Sequence, residues 1–280
     1  MSRPARARRT LLFAPGNRVE VHPKALASGA DVVCLDLEDA VPPHAKAEAR
    51  ALAVPFLTGE PGPERVIRIN SVRSAEGLRD LLTIVDARPR QGVIFLPKVA
   101  TKDEVRLVAE ILAEAGLPLD IAILIESVEG LENVASILAE SPRIVFAMFG
   151  GADLSAELGV AISHDPLLYA RSRVVHAARL AGVDVFDVPS LDFRDQAVVQ
   201  GETETAKCLG FTGKGVIHPS NVATVSAVFT PKPEEVARAE AVVAAYEASP
   251  NGLAVIDGKL IERPVVRAME RILALRDVTN

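Results

Sequence analysis

The sequence predicts a (β/α)8 barrel of the TIM type with a C-terminal helical and hairpin extension. Three observations predict it. Short runs of aliphatic and β-branched residues alternate with longer amphipathic stretches, eight times in succession. Each run is apolar at both parities, as expected of parallel strands covered on both faces. The eight units occupy residues 1–230 of a 280-residue chain, close to the length such a barrel needs.

The predicted strands are Thr10–Ala14, Val32–Asp36, Val66–Asn70, Val93–Pro97, Ile121–Glu126, Ile144–Phe149, Val183–Val188 and Gly215–His218. The clearest helix is 101–115. Val105, Val108, Ile111, Leu112 and Ala115 mark one face, while Lys102, Asp103, Arg106, Glu110 and Glu114 lie mostly on the other. Thr101 with Glu104 has capping-box spacing, and Gly116 and Pro118 stop the helix. A doubly wound open sheet is the competing fold. It calls for a phosphate-binding glycine pattern in its first turn, but that turn reads Ala14-Pro15-Gly16-Asn17-Arg18. Beyond the barrel, residues 231–248 read as a helix, 251–259 as a hairpin and 264–275 as a final helix. This extension, 231–280, is more than a barrel needs to close and has the place of a lid or an oligomer arm.

Composition narrows the function classes. Lys and Arg total 31 against 37 Asp and Glu, a net charge of −6, which disfavours a broad nucleic-acid-binding surface. Cys34 and Cys208 have no partner motif, so neither a zinc site nor a disulfide framework is expected. No apolar stretch reaches membrane-spanning length, and the run Leu11–Ala14 is too short for a signal-peptide core, so a cytoplasmic protein with no membrane partner is expected.

In a barrel of this kind the chemistry sits at the C-terminal ends of the strands, and those ends are polar here. They carry Asp36-Leu37-Glu38-Asp39, Arg68 and Asn70, Lys98, Glu126, Gly150-Gly151-Ala152-Asp153 and His218. Arg68 and Asn70 share one strand parity. An arginine inside Val-Ile-Arg-Ile requires an anion: Asp36 and Glu38 within the barrel mouth, or a substrate carboxylate. Glu126 and Asp153 follow neighbouring strands. Converging carboxylates repel unless a cation lies between them, and an oxygen-only donor set suits Mg2+. Asp153 could instead cap the helix that begins near Leu154. His218 is a lone histidine, more often structural than catalytic.

These segments together resemble the citrate lyase β-subunit-like (CitE-like) family of the HpcH/HpaI aldolase superfamily. The resemblance rests on the opening Arg9-Thr10-Leu11-Leu12-Phe13-Ala14-Pro15-Gly16, then Asp36-Leu37-Glu38-Asp39-Ala40-Val41 with Lys46 and Arg50 in the helix after it, Arg68-Ile69-Asn70 and Leu96-Pro97-Lys98. It continues through Ile125-Glu126-Ser127, Phe149-Gly150-Gly151-Ala152-Asp153-Leu154, and Gly210-Phe211-Thr212-Gly213-Lys214 to Ile217-His218-Pro219. It implies Mg2+ on Glu126 and Asp153, and a 2-oxo acid carboxylate held by Arg68 and the backbone of Gly151, Ala152 and Asp153. It also implies a surrounding polar shell of Glu38, Asp39, Lys98 and Asn70. The implied reaction is retro-Claisen cleavage of a 3-hydroxyacyl thioester, such as citryl-, malyl- or citramalyl-CoA, to a 2-oxo acid and an acyl thioester of CoA or an acyl carrier.

In the family the proton donor is an aspartate in a C-terminal segment lent by a neighbouring subunit, which implies a homotrimer or a dimer of trimers. Here the matching segment, Gly258-Lys259-Leu260-Ile261-Glu262-Arg263-Pro264, has Glu262 at that position. This is a departure that moves the carboxyl by a methylene, with Asp257 as the alternative carboxyl. A thioester hydrolase, and a citrate lyase β subunit active only in a complex with an acyl carrier protein, are the alternative functions.

Overall fold

The computed structural model describes residues 6–59, 62–249, 254–256 and 258–279. Within it β1 (Thr10–Pro15) leads to the one-and-a-half-turn α1 (His22–Leu26). The alternation then runs β2 (Val32–Asp36), α2 (Lys46–Ala53), β3 (Glu64–Arg68), α3 (Ala75–Ala87), β4 (Val93–Leu96) and α4 (Lys102–Glu114). It continues with β5 (Asp120–Ile125), α5 (Val128–Ala139), β6 (Ile144–Phe149), α6 (Gly151–Leu158), α7 (His164–Ala181), β7 (Asp184–Asp187), α8 (Gln196–Leu209), β8 (Gly213–Val216) and α9 (Val222–Phe229). The strands β1 to β8 pair in chain order, all parallel, and β8 closes onto β1. The sequence-predicted TIM barrel is the fold.

Local signals explain the elements. Every residue of β2, β4 and β6 is buried, as strands sheathed on both faces require. Thr101 and Glu104 form the anticipated capping box of α4. Ser74 and Ser127 cap α3 and α5 by accepting the N–H of Gly77 and Gly130. The ends of α7 and α8 turn on left-handed Gly182 and Gly210.

The barrel interior is a layered apolar core containing Leu11, Val32, Cys34, Val66, Phe95, Leu124, Phe146, Met148 and Phe186. Phe146 meets Phe95 and Phe186 edge-on, with centroids 5.6 and 5.1 Å apart. Two strands lie two residues earlier than the expected bounds. β3 spans Glu64–Arg68, where the sequence suggested 66–70, and β8 spans Gly213–Val216, where it suggested 215–218. Gly213 and Gly215 sit within the barrel because Phe186 and the Met148–Pro189 pair fill the space a Cβ would need. A glycine-rich strand shows little β propensity, which is why its start was misplaced.

The compact unit that holds this barrel covers Arg8–Ser226, and a second unit takes in the chain from Ala227 onward. In the second unit α10 (Pro233–Glu247) precedes an antiparallel hairpin of β9 (Ala254–Ile256) and β10 (Lys259–Ile261), then α11 (Arg263–Thr279). Val242, Ile261 and Val266 form its own small core, with Val243, Tyr246, Ile256 and Met269 packed on it. Among the described residues no helix is long and apolar enough to cross a membrane.

Candidate active site

Strand parity builds the site. Cys34, Val66, Leu124 and Met148 belong to the interior core. The next inward positions on the same strands are Asp36, Arg68, Glu126 and Gly150. Apolar packing therefore stops at one level, and above it lies a cavity of about 400 Å³. Asp36, Asp39, Arg68, Glu126 and the segment from Gly150 to Asp153 give it a polar wall. Phe13, Leu124, Met148, Phe149, Val188, Pro189 and Ile217 give it an apolar one.

Arg68 is the centre of one half of the site. Its Nε and Nη2 donate to the two oxygens of Asp36 at 2.8 and 2.6 Å. Its Nη1 lies 3.1 Å from Glu38 Oε2, an ion contact without hydrogen-bond alignment. The guanidinium also lies over the Phe13 ring. These anions hold the Arg68 pKa above its ordinary value despite burial, which acts the other way. Asp36 and Glu38 are thus the internal partners that the sequence allowed, while Arg68 still lines the cavity.

Glu126 and Asp153 occupy the other half. Both line the same cavity. The Lys98 backbone N–H donates to Glu126 Oε1 at 2.7 Å. Burial pushes Glu126 up to about 8, assisted by the charges of Glu38 and Asp153 and by a side-chain hydrogen-bonding contact with Asp153. Gly150 makes this arrangement possible. A Cβ there would stand 2.3 Å from the Cβ of Glu126. Asp153 does not cap its helix. The N-cap of α6 is Gly150, and Asp153 lies inside the first turn.

Of the expected polar shell Asp39 lines this cavity, while Glu38, Lys98 and Asn70 are not among its lining residues. Glu38 and Lys98 reach it through their partners Arg68 and Glu126. Lys98 Nζ is 2.5 Å from Glu38 and 3.6 Å from Asp39, and these carboxylates raise its pKa against its desolvation. Burial raises Glu38, with Arg68 and Lys98 pulling the other way. Asn70 is spent on scaffolding. Its N–H and Nδ2 both bond Asp80 on α3, and Nδ2 also donates to the Leu37 carbonyl. It leaves the parity of Arg68 because β3 ends at Arg68.

An oxygen-only pair facing one cavity, with Glu126 raised by burial and by the nearby charges of Glu38 and Asp153, fits a hard divalent cation. Among the described residues no group of three or more His, Cys, Asp or Glu forms a metal cluster, so water and substrate oxygens would complete any coordination shell here.

Glu262 belongs to the second unit. It is exposed, directly before α11, and its carbonyl accepts the N–H of Val265 and Val266. Asp257 lies outside the described residues. His218 Nδ1 bonds Ser220 Oγ at 2.7 Å and its ring stacks on Phe193, which is a structural use.

Sequence reasoning missed two buried charge groups. Asp80, fully buried, receives Arg50 Nε at 2.6 Å along with Asn70, and so braces the loop after β2. Lys46 Nζ adds bonds to the carbonyls of Leu37 and Glu38 at 2.8 and 2.5 Å. Asp187 is held by Arg171 through two bonds, and Lys214 Nζ donates to Asp187 and to the Val188 carbonyl at 3.3 and 2.6 Å. That group fixes the Val188–Pro189 wall from behind, beside a second cavity of about 440 Å³. Charged residues in the outward parity of β7 and β8 were the available signal.

Comparison with known proteins agrees with this picture. The family model described as HpcH/HpaI aldolase/citrate lyase matches residues 9–219. A citrate lyase subunit beta-like protein of Deinococcus radiodurans is 33% identical over 285 residues, covering 98% of this chain and 99% of that protein. The mitochondrial citramalyl-CoA lyase of Homo sapiens is 31% identical over 289 residues, covering 96% of this chain and 85% of that protein. The crystal structure of CitE from Mycobacterium tuberculosis in complex with magnesium, acetoacetate and coenzyme A matches with a TM-score of 0.82 at 31% identity, over 97% of this chain and 98% of that one. A barrel of this topology, these strand-end residues and a family match spanning the barrel lead to one assignment: the chain belongs to the HpcH/HpaI aldolase/citrate lyase family and is a carbon–carbon lyase.

Proposed function

We propose that this chain is a Mg2+-dependent lyase that cleaves, or in reverse forms, a 3-hydroxyacyl-CoA thioester of the citryl-, malyl- or citramalyl-CoA class. The observation that carries this reading is the convergence of Glu126, Asp153 and Arg68 on one half-apolar cavity at the C-terminal end of the barrel. It is supported by the likeness to a citramalyl-CoA lyase and to a CitE structure holding magnesium, acetoacetate and coenzyme A.

Glu126 and Asp153 would hold the cation. When bound, it supplies electrostatic stabilisation for the negative charge that develops on the substrate's 3-hydroxyl oxygen. Arg68 gives one N–H from Nε and one from Nη2 to Asp36, which leaves donors on its terminal nitrogens for the carboxylate of the 2-oxo acid. The first backbone N–H groups of α6, from Gly151 to Asp153, have no intrahelical acceptor and no side-chain cap, and they suit the same carboxylate. Phe13, Met148, Val188 and Ile217 exclude water around the bond that breaks.

Protonation of the enolate released on the thioester side needs an acid. Glu262 is the candidate, offered from a neighbouring subunit of a homotrimer or dimer of trimers, with Asp257 as the alternative. The test is incubation with Mg2+ and a panel of hydroxyacyl-CoA esters. Release of a 2-oxo acid with an acyl-CoA is expected. Release of free CoA with an intact 3-hydroxy acid would establish a thioester hydrolase instead, and turnover only with an acyl-carrier thioester would point to a citrate lyase complex.

A further inference from the structure

Among the described residues other than glycine, two have a positive φ, Arg88 at +49° and Lys98 at +54°. Arg88 is the C-cap of α3, where a left-handed residue is ordinary. Lys98 ends no helix. It follows Pro97 just past the last residue of β4, at the mouth of the barrel. A residue with a Cβ pays strain in this conformation that glycine would not. Such strain persists where the surrounding structure makes use of it.

Here the use is visible. The left-handed turn aims the Lys98 N–H across to β5, where it meets Glu126 Oε1 at 2.7 Å. The same residue sends Nζ in another direction, to Glu38 Oε1 at 2.5 Å. One residue therefore holds two carboxylates, Glu126 just past β5 with its backbone and Glu38 just past β2 with its side chain, and so spans strand ends that are not neighbours in the barrel. With Oε1 of Glu126 bound, the other oxygen, Oε2, is turned to the Gly150 side, 3.1 Å from where a Cβ of that glycine would stand. Gly150 opens the segment that carries Asp153.

We propose that Lys98 is a positioning residue for the cation carboxylates: its strained backbone fixes the Glu126 carboxyl so that Oε2 is presented on the Asp153 side, while its ammonium holds Glu38 away from that role. The proposal rests on the metal reading above. It assigns the backbone conformation, and not only the charge of the side chain, to the making of the site.

The test separates these two contributions. Lys98→Gly, Lys98→Ala and Lys98→Val all remove the ammonium. Glycine adopts the left-handed turn freely, alanine at a cost, and a β-branched valine very rarely. The full chain is titrated with Mn2+ as a spectroscopic stand-in for Mg2+, followed by the loss of free-ion electron paramagnetic resonance signal, with thermal unfolding measured alongside. Lys98→Val is expected to bind Mn2+ at least about tenfold more weakly than Lys98→Gly, as removal of an outer-shell partner does in other metal sites. Equal dissociation constants for the two, with only the unfolding temperatures differing, would reduce Lys98 to a structural role and overturn the proposal. If the valine variant does not fold, the alanine variant carries the comparison. Weaker binding than in the glycine variant supports the proposal, and equality overturns it. A parent protein that takes up no Mn2+ would overturn the metal reading itself, an outcome distinct from equal binding by the variants.

Discussion

Arg68 and Asp36 are register partners on adjacent parallel strands, and their side chains meet in a two-pronged pair at 2.8 and 2.6 Å just above the apolar core. The pair fixes the plane of the guanidinium before any substrate arrives. Planarity matters because a fork so held can meet a second carboxylate with its remaining donors. Lysine in its place keeps the charge and loses the fork. Arg68→Lys is therefore expected to reduce kcat/KM by about 100-fold, as a displacement near 1 Å at a reacting centre does. It should also lower stability by about 1–3 kcal/mol through the imperfectly paired, buried Asp36. Steady-state kinetics and urea unfolding check both. Unchanged kinetics with lowered stability would confine Arg68 to the internal pair.

Glu126 predicts a pH dependence whose sign follows from its raised pKa. The unfolded chain releases this proton near the ordinary carboxylate value, whereas the folded chain keeps it until about 8. Between those values the unfolded state binds fewer protons, so metal-free stability falls as pH rises, by roughly 4 kcal/mol at pH 8 for this group alone. Glu38, also raised by burial, adds to the same trend. Calorimetric unfolding in a chelator should show the slope from about pH 5 to pH 8. Glu126→Gln should flatten most of it, and saturating Mg2+ should flatten it in the parent protein. The same variant should abolish cation-dependent turnover while leaving the fold intact.

Lys214 lies 1% exposed against Asp187 and the Val188 carbonyl. Lys214→Met keeps the bulk and removes the charge, leaving Asp187 with Arg171 alone. The expected loss is about 3 kcal/mol of stability, in the range for breaking a buried pair. Since Val188 and Pro189 wall the active cavity, KM for the thioester should rise more than kcat falls. Chemical denaturation and kinetics on the same preparation test this, and a kcat collapse at constant KM would contradict it.

Glu262 predicts a contrast between two substitutions. If its carboxyl protonates the enolate, Glu262→Gln should lower kcat by a factor in the range of about 10²–10⁴ typical of a lost general acid. Glu262→Asp, which restores the residue type of the family segment, should retain or raise kcat. Two variants that match the parent would move the role to Asp257 or to water. Light scattering gives the second reading, because a fully active monomer would exclude a carboxyl supplied by another subunit.

What the sequence determined by itself was set by short-range periodicity. Runs apolar at both parities named the eight strands, the Thr101–Glu104 spacing named a helix start, and polar residues just past each run named the site-bearing ends. These follow from local chain geometry, in which a residue's face depends only on its count along the strand. Closure and register decided the rest. Whether Arg68 would find Asp36 depended on how β2 lay against β3. The diversion of Asn70 to Asp80 depended on where β3 ended. The left-handed turn at Lys98 had no local signature. The Arg171–Asp187–Lys214 group showed locally only as charges in the outward parity of β7 and β8, and its pairing exists only when segments far apart in sequence are packed together. Parity is a property of one strand, whereas a pairing, a rotamer or a tolerated strain belongs to the packed whole, and only the tertiary structure could decide it.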